Sequence, residues 1–282
     1  MGANVKNILV TEGGVDLHTH TTASDGQNSA EELIALAREV GLEGVGITDH
    51  DTISGVVDAL EITNGGNFLV VPGIEISCET MRGTCHILGY FIDPHSPFLR
   101  EPLDYLRRRR RRRAEEIVSR LEGMGIRIEI PEDVAGRSIG RPHIARALQE
   151  AGYVPDTEEA FRSYLSVGQA AYIPSPRLKP VEAIELILKS GGVPILAHPH
   201  TFGDEVMIGV FAKQGLMGLE GYYAFYDDST RSYWAGVAER YGLLLTGGSD
   251  FHGDFRKDRP LGMVRLAREM VERLRDARLR VF

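Results

Sequence analysis

Short apolar runs that break off at a histidine or a carboxylate recur along this chain, and this punctuation restricts its fold more than any other feature. Six of the nine histidines fall in five such blocks. They are His18 and His20 with Asp25, then Asp49-His50-Asp51, then Glu75 with His86, then His198, then Asp250 with His252. Most of the runs are too short for a helix and read as buried strands, with segments of helical period between them. Strands are expected at Val15–His18, Val45–Thr48, Phe68–Val71 (continuing toward Ile74 and Ile76), His86–Phe91, Val193–Ala197, Gly218–Gly221 and Leu243–Thr246. Helices are expected at Ser29–Val40, Gly55–Ile62, Val181–Lys189, Asp204–Gln214, Ser229–Tyr241 and Arg268–Arg278. The first helix is the best defined. Ser29 is a good N-cap, Glu32 completes a capping box, and Leu33, Leu36, Ala37 and Val40 share a face before Gly41 ends it.

Repeated βα units predict an α/β fold with a parallel sheet covered by helices. Chemical residues at strand ends are the arrangement of α/β barrels, whose active sites lie at the carboxyl ends of the strands. From about Arg100 to Pro180 helix follows helix with no convincing strand. That predicts a helical insertion over the barrel mouth, with Pro174 and Pro176 in an extended return segment. The expected division is residues 1–100 and 181–282 for the barrel and 101–180 for the insertion.

The chain has 282 residues, 43% of them hydrophobic, enough for one large domain with an insertion. A formal net charge of −8 argues against a protein that coats duplex DNA. It leaves small anionic substrates open, because a metal cluster supplies local positive charge. The two cysteines, Cys78 and Cys85, form no CxxC pattern and read as inert small residues. No apolar run approaches the roughly 20 residues of a membrane span, and the N-terminal segment lacks a signal-peptide core. A cytoplasmic setting is expected.

His18 and His20 stand two apart on a strand and so face the same side, where both could grip one ion. Alone, such a pair is equally read as two strand-end histidines satisfied by backbone. Asp49-His50-Asp51 alone would be a polar turn; with the other blocks, His50 becomes a ligand candidate and either aspartate could orient an imidazole. A buried glutamate is costly unless paired or metal-bound, and the two oxygens of Glu75 suit it to bridge two cations. Glu79 is the competing candidate, expected at the surface. His86 would complete the ligand set of a second ion. His198 is the expected ligand after its strand, with His200 outside the first layer. Asp250 and His252 repeat the two-residue spacing, and Gly247 and Gly248 would let backbone approach closely. Mixed histidine and carboxylate donors suit manganese, iron or zinc better than magnesium or calcium.

The blocks DLHTHTTASDG, GITDHDT, PGIEIS, HILGYFID, AHP and GSDFH, in that order, resemble the PHP (polymerase and histidinol phosphatase) family. The segment GRSIGRPHIARAL, Gly136–Leu148, resembles the subgroup of 3′,5′-nucleoside bisphosphate phosphatases and 5′-to-3′ exoribonucleases. The resemblance implies a distorted (β/α)7 TIM-like barrel carrying three divalent metals. Manganese is the expected metal, with iron or zinc as alternatives. By position, one ion would take His18, His20, Glu75 and Asp250. A second would take Glu75, His86 and His198, and a third Asp25, His50 and His252. His18, His20, Glu75, His198 and Asp250 are the catalytic candidates, around water activated by the metals.

Arg141 and His143 are the candidate phosphate-binding residues, placed near a helix N-terminus if Pro142 opens one; the alternative is an ordinary surface helix. Arg137 is weaker. Seven consecutive arginines, Arg107–Arg113, point all round a helix. They read mainly as a solvated face offset by Glu101, Asp104, Glu115 and Glu116, with one expected to matter. Tyr222, Tyr223, Phe225 and Tyr226 could stack a base, but core packing is the commoner role. Tyr153, Tyr172 and Trp234 read as packing. The expected activity is hydrolysis of the 3′-phosphoester of a 5′-phosphorylated nucleotide, from a 3′,5′-bisphosphate or the 5′ end of a short oligoribonucleotide. Phosphate is the expected product, and no membrane or stable duplex DNA is an expected partner. The rivals are a histidinol-phosphate-type phosphatase, a non-catalytic PHP regulatory module and an RNA-binding module built on the arginine run.

Overall fold

The computed structural model describes residues 9–63, 66–80, 83–130, 137–175 and 177–278. Among them, seven strands form one sheet in sequence order. These are β1 (Val15–Thr19), β2 (Gly44–Ile47), β3 (Leu69–Cys78), β4 (Cys85–Tyr90), β5 (Val193–Leu196), β6 (Gly218–Tyr223) and β7 (Leu244–Gly248). The ends of β1 and β7 meet where His20 N donates to Phe251 O (2.9 Å) and Phe251 N to His18 O (3.2 Å). The result is a nearly closed seven-stranded α/β barrel.

The expected parallel sheet needs one correction. β4 runs antiparallel to both β3 and β5, while the other neighbours are parallel. Residues 79–84 between β3 and β4 leave no room for a crossover helix, so the chain must return as a hairpin. This reversal serves the site. β4 starts at the end of the barrel where β3 finishes, so His86, in register with Ser77, lies beside the Glu75 end of β3.

Helices cover the barrel: α1 (Ala30–Glu39), α2 (Ser54–Ile62), α6 (Pro180–Lys189), α7 (Glu205–Lys213), α8 (Asp228–Tyr241) and α9 (Arg268–Arg278). The capping box at α1 forms as expected, with Ser29 Oγ accepting from Glu32 N and Glu32 Oε2 accepting from Ser29 N. Leu33, Ile34 and Ala37 of α1 are buried against Val45 and Ile47 of β2. Trp234 is buried in the core that α8 shares with α6 and α7.

Between β4 and β5 lie α3 (Pro97–Gly123), α4 (Arg141–Glu150), α5 (Thr157–Ala160) and a π-helical turn at Phe161–Leu165. α3 serves two cores. Leu99, Leu103 and Leu106 pack with the barrel, whereas Ala114, Ile117, Val118 and Leu121 pack with Ile144 and Leu148 of α4 in a separate cluster. The expected division at residue 101 thus falls inside α3. Leu178 returns beside β3 through a parallel bridge to Cys78. Pro174 precedes that return without regular structure, and Pro176 lies outside the described residues. Cys78 and Cys85, read as inert small residues, are register partners across β3 and β4, both buried and free.

Candidate metal centre

Glu75 is the hub of the site. It is fully buried inside β3, and each of its oxygens faces its own set of imidazoles. Oε1 lies 2.7 Å from His86 Nδ1 and 3.0 Å from His198 Nε2. Oε2 lies 3.3 Å from both His18 Nε2 and His20 Nε2, and 3.1 Å from His50 Nδ1. Asp250 Oδ1 approaches the same pair, at 3.4 Å from His18 Nε2 and 3.3 Å from His20 Nε2. Asp25 Oδ1 is 3.4 Å from His252 Nε2, 3.9 Å from His20 Nδ1 and 4.0 Å from His50 Nε2.

Three donor groups therefore form: His18, His20, Glu75 and Asp250; His20, Asp25, His50 and His252; and His50, Glu75 and His86. All nine residues expected as ligands come together. The grouping differs from the expected division in three places: His20 also joins Asp25, His50 and His252, His50 stands beside Glu75 and His86, and His198 is in none of the three groups although its Nε2 lies 3.0 Å from Glu75 Oε1. Arg141, His143 and Arg137 are not part of these groups.

Local backbone sets these donors. His198, Asp250 and Asp51 follow β5, β7 and β2 with φ of 25°, 55° and 53°, in the left-handed region that disfavours side-chain-bearing residues. Such conformations cost of order 1–3 kcal/mol and persist where neighbouring structure holds them. At Gly248, a Cβ would lie 2.3 Å from His18 Cβ, so only glycine lets β7 come this close to β1.

A layer of acceptors and donors orients the ligand candidates. Glu220, fully buried in β6, takes His18 Nδ1 at 3.0 Å, which turns Nε2 toward Glu75; its other oxygen accepts from His198 N at 2.7 Å. Thr201 Oγ1 meets His198 Nδ1 at 3.0 Å. Asp250 Oδ2 accepts from Tyr223 Oη (2.7 Å) and from Arg259, leaving Oδ1 for the histidines. Asp16 accepts from Ser249 N (2.9 Å), Ser249 Oγ (2.5 Å) and Gly262 N (2.9 Å), clasping β1 to the chain after β7. Sequence reading missed Glu220, Asp16, Tyr223 and Arg259 in these roles. The available signal was a carboxylate inside an apolar strand, GLEGYY and VDLH, which burial permits only with partners.

The expectation that Asp49 or Asp51 orients an imidazole fails. Asp49 accepts from Thr21 N (2.8 Å), Thr21 Oγ1 (2.7 Å) and Ser24 Oγ (2.5 Å), shaping the loop that presents Asp25. Asp51 accepts from Ser77 N (3.0 Å) and holds Arg110, because its left-handed backbone aims the carboxylate at α3.

Charge in the centre is internally balanced. Burial opposes ionisation of Glu75, yet His50, His86 and His18 hold it well below the usual carboxylate range. Asp25 and Asp250 are likewise buried and held low, Asp25 by His50 and His252 and Asp250 by His18 and His252. Burial also opposes charge on His20, but Asp250 and Glu75 lift it to about 9. His50 goes the other way: burial pushes it down to about 3 against the pull of Glu75 and Asp25.

The donor set suits divalent cations. Both ring nitrogens of His20, Asp25 Oδ1 and His50 Nδ1 are buried without a hydrogen-bond partner. Buried polar atoms are rarely left so, and a coordinated ion would satisfy them.

A different cluster lies on the insertion side. Of the arginine run, Arg110 and Arg113 are buried and the rest partly or fully exposed. Arg110 pairs with Asp51 and donates to Ser77 Oγ at 3.0 Å; Arg113 Nε donates to Ile173 O at 2.8 Å. Arg107 pairs with Asp104 and Arg111 with Glu115, the solvated face expected of them. Arg141 opens α4, donates to Leu165 O at 3.0 Å and lies over the rings of Phe161 and Tyr172. Burial and the neighbouring Arg141 and Arg110 lower Arg113 to about 9, and burial with Arg177 and Arg110 lowers Arg141. Arg177 Nε is buried without a partner. His143 Nδ1 accepts from Gly140 N at 3.0 Å, and burial lowers its proton affinity, so its neutral form carries the proton on Nε2.

The remaining candidates divide. Tyr222, Tyr223 and Tyr226 are buried, whereas Phe225 is 50% exposed. His200 is exposed, its Nδ1 2.7 Å from Tyr226 Oη. Tyr172 packs under Arg141, Tyr153 is an exposed acceptor for Arg127 N, and Glu79 and Arg137 are exposed. No helix among the described residues is long and apolar enough to cross a membrane.

Comparison with known proteins agrees with this centre. The PHP domain profile matches residues 16–127. The 5′-3′ exoribonuclease Rnm of Escherichia coli (strain K12) is 34% identical over 247 residues, covering 84% of each chain. The 3′,5′-nucleoside bisphosphate phosphatase of Chromobacterium violaceum is 31% identical over 264 residues, covering 88% of this chain and 90% of that protein. The crystal structure of a protein assigned as a metal-dependent phosphoesterase, from Bifidobacterium adolescentis, superposes with a TM-score of 0.84 at 30% identity. It covers 94% of this chain and 96% of its own. A barrel with divalent-metal donor groups at its mouth and relatives of this identity over most of its length place the chain in the PHP domain family, as a metal-dependent phosphoric ester hydrolase.

Proposed function

We propose that this hydrolase cleaves the phosphoester on the 3′-oxygen of a nucleoside that carries a 5′-phosphate. Its substrates would be 3′,5′-bisphosphonucleotides, giving the 5′-monophosphate, and the 5′ end of short RNA. The observation that carries this reading is the second charged cluster: Arg110, Arg113, Arg141 and Arg177 crowd together beside Ser77 and Asp51, next to the metal centre. Asp51 is the carboxylate that pairs with one of them. Guanidinium groups gathered in a partly buried place with one carboxylate are a site for an anion, and a phosphate dianion fits their planar forks.

The ligand assignment belongs to the same reading. His18, His20, Glu75 and Asp250 would hold one ion, Glu75, His86 and His198 a second, and Asp25, His50 and His252 a third. Manganese is the proposed metal, with iron or zinc as alternatives. Such metals supply Lewis acidity toward the phosphoryl oxygens and lower the pKa of bound water toward neutrality.

The chain's own residues do the rest. Glu220 and Thr201 fix the ring orientations of His18 and His198. Tyr223 and Arg259 restrict Asp250 to one free oxygen. Arg141, Arg113 and Arg177 would hold the 5′-phosphate, and His143 would offer its Nε2 proton at the start of α4. The helical segment 101–180 would act as the cap that carries these groups and excludes water. The leaving 3′-oxygen would take its proton from water.

The test is phosphate release from adenosine 3′,5′-bisphosphate by manganese-reconstituted protein, with 3′-AMP and 5′-AMP beside it. The expected result is preferential conversion of the bisphosphate to 5′-AMP. Arg141→Met should lower kcat/KM for the bisphosphate by about tenfold to a hundredfold, the range for a lost hydrogen bond to a charged group, and change 3′-AMP far less. Cleavage of the 5′-phosphate, or no preference, would discard the substrate and leave the metal chemistry standing.

A further inference from the structure

One edge of the metal centre opens into a cleft that the reaction on a bisphosphate does not use. Asp25 and His252 form part of its wall, and Arg146, Phe161, Phe255 and Arg256 complete most of it. Arg146, on α4, lays its guanidinium 3.7 Å over the ring of Phe255, and its Nε is buried without a hydrogen-bond partner. Phe255 is 36% exposed, so this cation–aromatic pair sits at a surface rather than in a core. A second cleft begins where the first ends. Arg256 lines both, and the second continues past Lys257, Gln27 and Asn28. Asp254 also borders it, with its backbone N–H bound to Gln27 Oε1 at 2.6 Å, and offsets part of the positive charge.

The two clefts lie on the β1–β7 side of the centre, and the arginine cluster lies against Asp51 and Ser77, beside β2 and β3. Phe161 is the partition, with its ring facing Arg141 and also lining the first cleft. A nucleotide with its 5′-phosphate at the arginines and its 3′-phosphate at the metal centre would end there. Nothing of a bisphosphate would reach past Asp25 and His252. A stacking platform followed by spaced cations and amides is the equipment of a single-stranded nucleic-acid track.

We propose that Arg146, Phe255, Arg256 and Lys257 form a subsite for the RNA that continues beyond the scissile phosphate. The first downstream base would stack at the Arg146–Phe255 pair, and the next phosphate would meet Arg256 and Lys257. The proposal rests on the substrate reading above and sharpens it, since a phosphatase for mononucleotides has no need of the track. The reaction balances as hydrolysis. Water adds to phosphorus and the bond to the 3′-oxygen of the first nucleotide breaks. That oxygen takes one proton and leaves with the 5′-monophosphate. The downstream RNA keeps the phosphoryl group as its new 5′-phosphate, so the product is again a substrate.

The experiment uses metal-loaded protein and two probes. One is adenosine 3′,5′-bisphosphate; the other is 5′-phosphorylated hexaadenylate, with phosphorothioate linkages for binding and ordinary linkages for hydrolysis. Wild-type protein should bind the hexamer about tenfold or more tightly than the bisphosphate. Arg146→Met/Phe255→Ala should lower the hexamer-to-bisphosphate ratio, in affinity and in kcat/KM, by about tenfold, in the range for one lost base–aromatic stack. Arg256→Ser/Lys257→Ser, on the exposed surface, should lower it less and flatten its dependence on salt. Equal wild-type affinity for the two probes, or an equal loss on both in the variants, overturns the track. An equal loss would mean that these residues serve the first nucleotide or the fold. Failure of the substrate reading looks different, because the bisphosphate would then not be converted preferentially to 5′-AMP, while the binding comparison would still decide the track.

Discussion

The metal centre and the arginine cluster are neighbours, and both concentrate charge in a buried place, yet they are built on opposite plans. In the centre, Glu75, Asp25 and Asp250 stand among six imidazoles, and each carboxylate is held ionised by histidines around it. In the arginine cluster, Arg113 is disfavoured as a cation by burial, Arg141 and Arg110, Arg141 by burial, Arg177 and Arg110, and Asp51 compensates Arg110. The first region carries its own counter-charge and competes for metal through proton release. The second has Asp51 paired with Arg110 and is the proposed anion site. In the proposed function the first would act on one phosphoryl group and the second would recognise another by its charge.

The strongest way to break the comparison is at Glu75, whose two oxygens face five imidazoles. Glu75→Gln should lower hydrolysis by more than about a hundredfold, beyond the 10–100-fold typical of residues that only orient ligands. Metal content, measured by elemental analysis after dialysis, should fall with it. Full metal content with full activity would remove Glu75 from the centre.

The next effect is on stability. Arg110 and Asp51 are both buried, at 6% and 1% exposure. Arg110→Met should cost about 3–5 kcal/mol in chemical denaturation, because Asp51 is left as an unpaired buried charge. Replacing both, as Asp51→Asn with Arg110→Met, should recover part of that loss. An unchanged single variant would mean that water or another arginine takes over the pair.

The smallest expected effect is a pH dependence that separates the regions. In the metal-free protein His20 is raised from its ordinary 6.5 to about 9. The folded state then binds this proton more tightly than the unfolded state. The stability it contributes is fully present below about pH 6.5 and is lost as pH rises through about 9. A metal must displace the proton, so manganese affinity should rise over the same window. Thermal melting and calorimetric titration, each with and without manganese, would check both slopes. A flat affinity from pH 6.5 to 9 would mean that His20 gives up no proton on metal binding.

Much of this molecule was legible in one dimension. Ser29 and Glu32 announced α1 because a capping box is local chemistry. His50, His198 and Asp250 were legible because strands end at the barrel mouth, so a histidine or carboxylate just past an apolar run is carried there, whereas Glu75 lies inside β3 and His86 near the start of β4. The reversal of β4 was hidden, since strand propensity does not encode direction; the short link between β3 and β4 was the available hint. Glu220 was missed because a single carboxylate within GLEGYY has no partner in its own segment. The arginine run looked uniform in sequence, and helical periodicity could not say which members would be buried.

Period, capping and residue type were enough to read the barrel's strand and helix alternation, the ligand candidates and the presence of helices between β4 and β5. Which imidazole faces which oxygen of Glu75, that Asp51 serves Arg110 instead of a histidine, and that Arg110, Arg113, Arg141 and Arg177 converge came from the folded chain alone. Those outcomes depend on contacts between residues far apart in the chain. Burial makes them decisive, because a charge removed from water must find its partner wherever the fold has placed one.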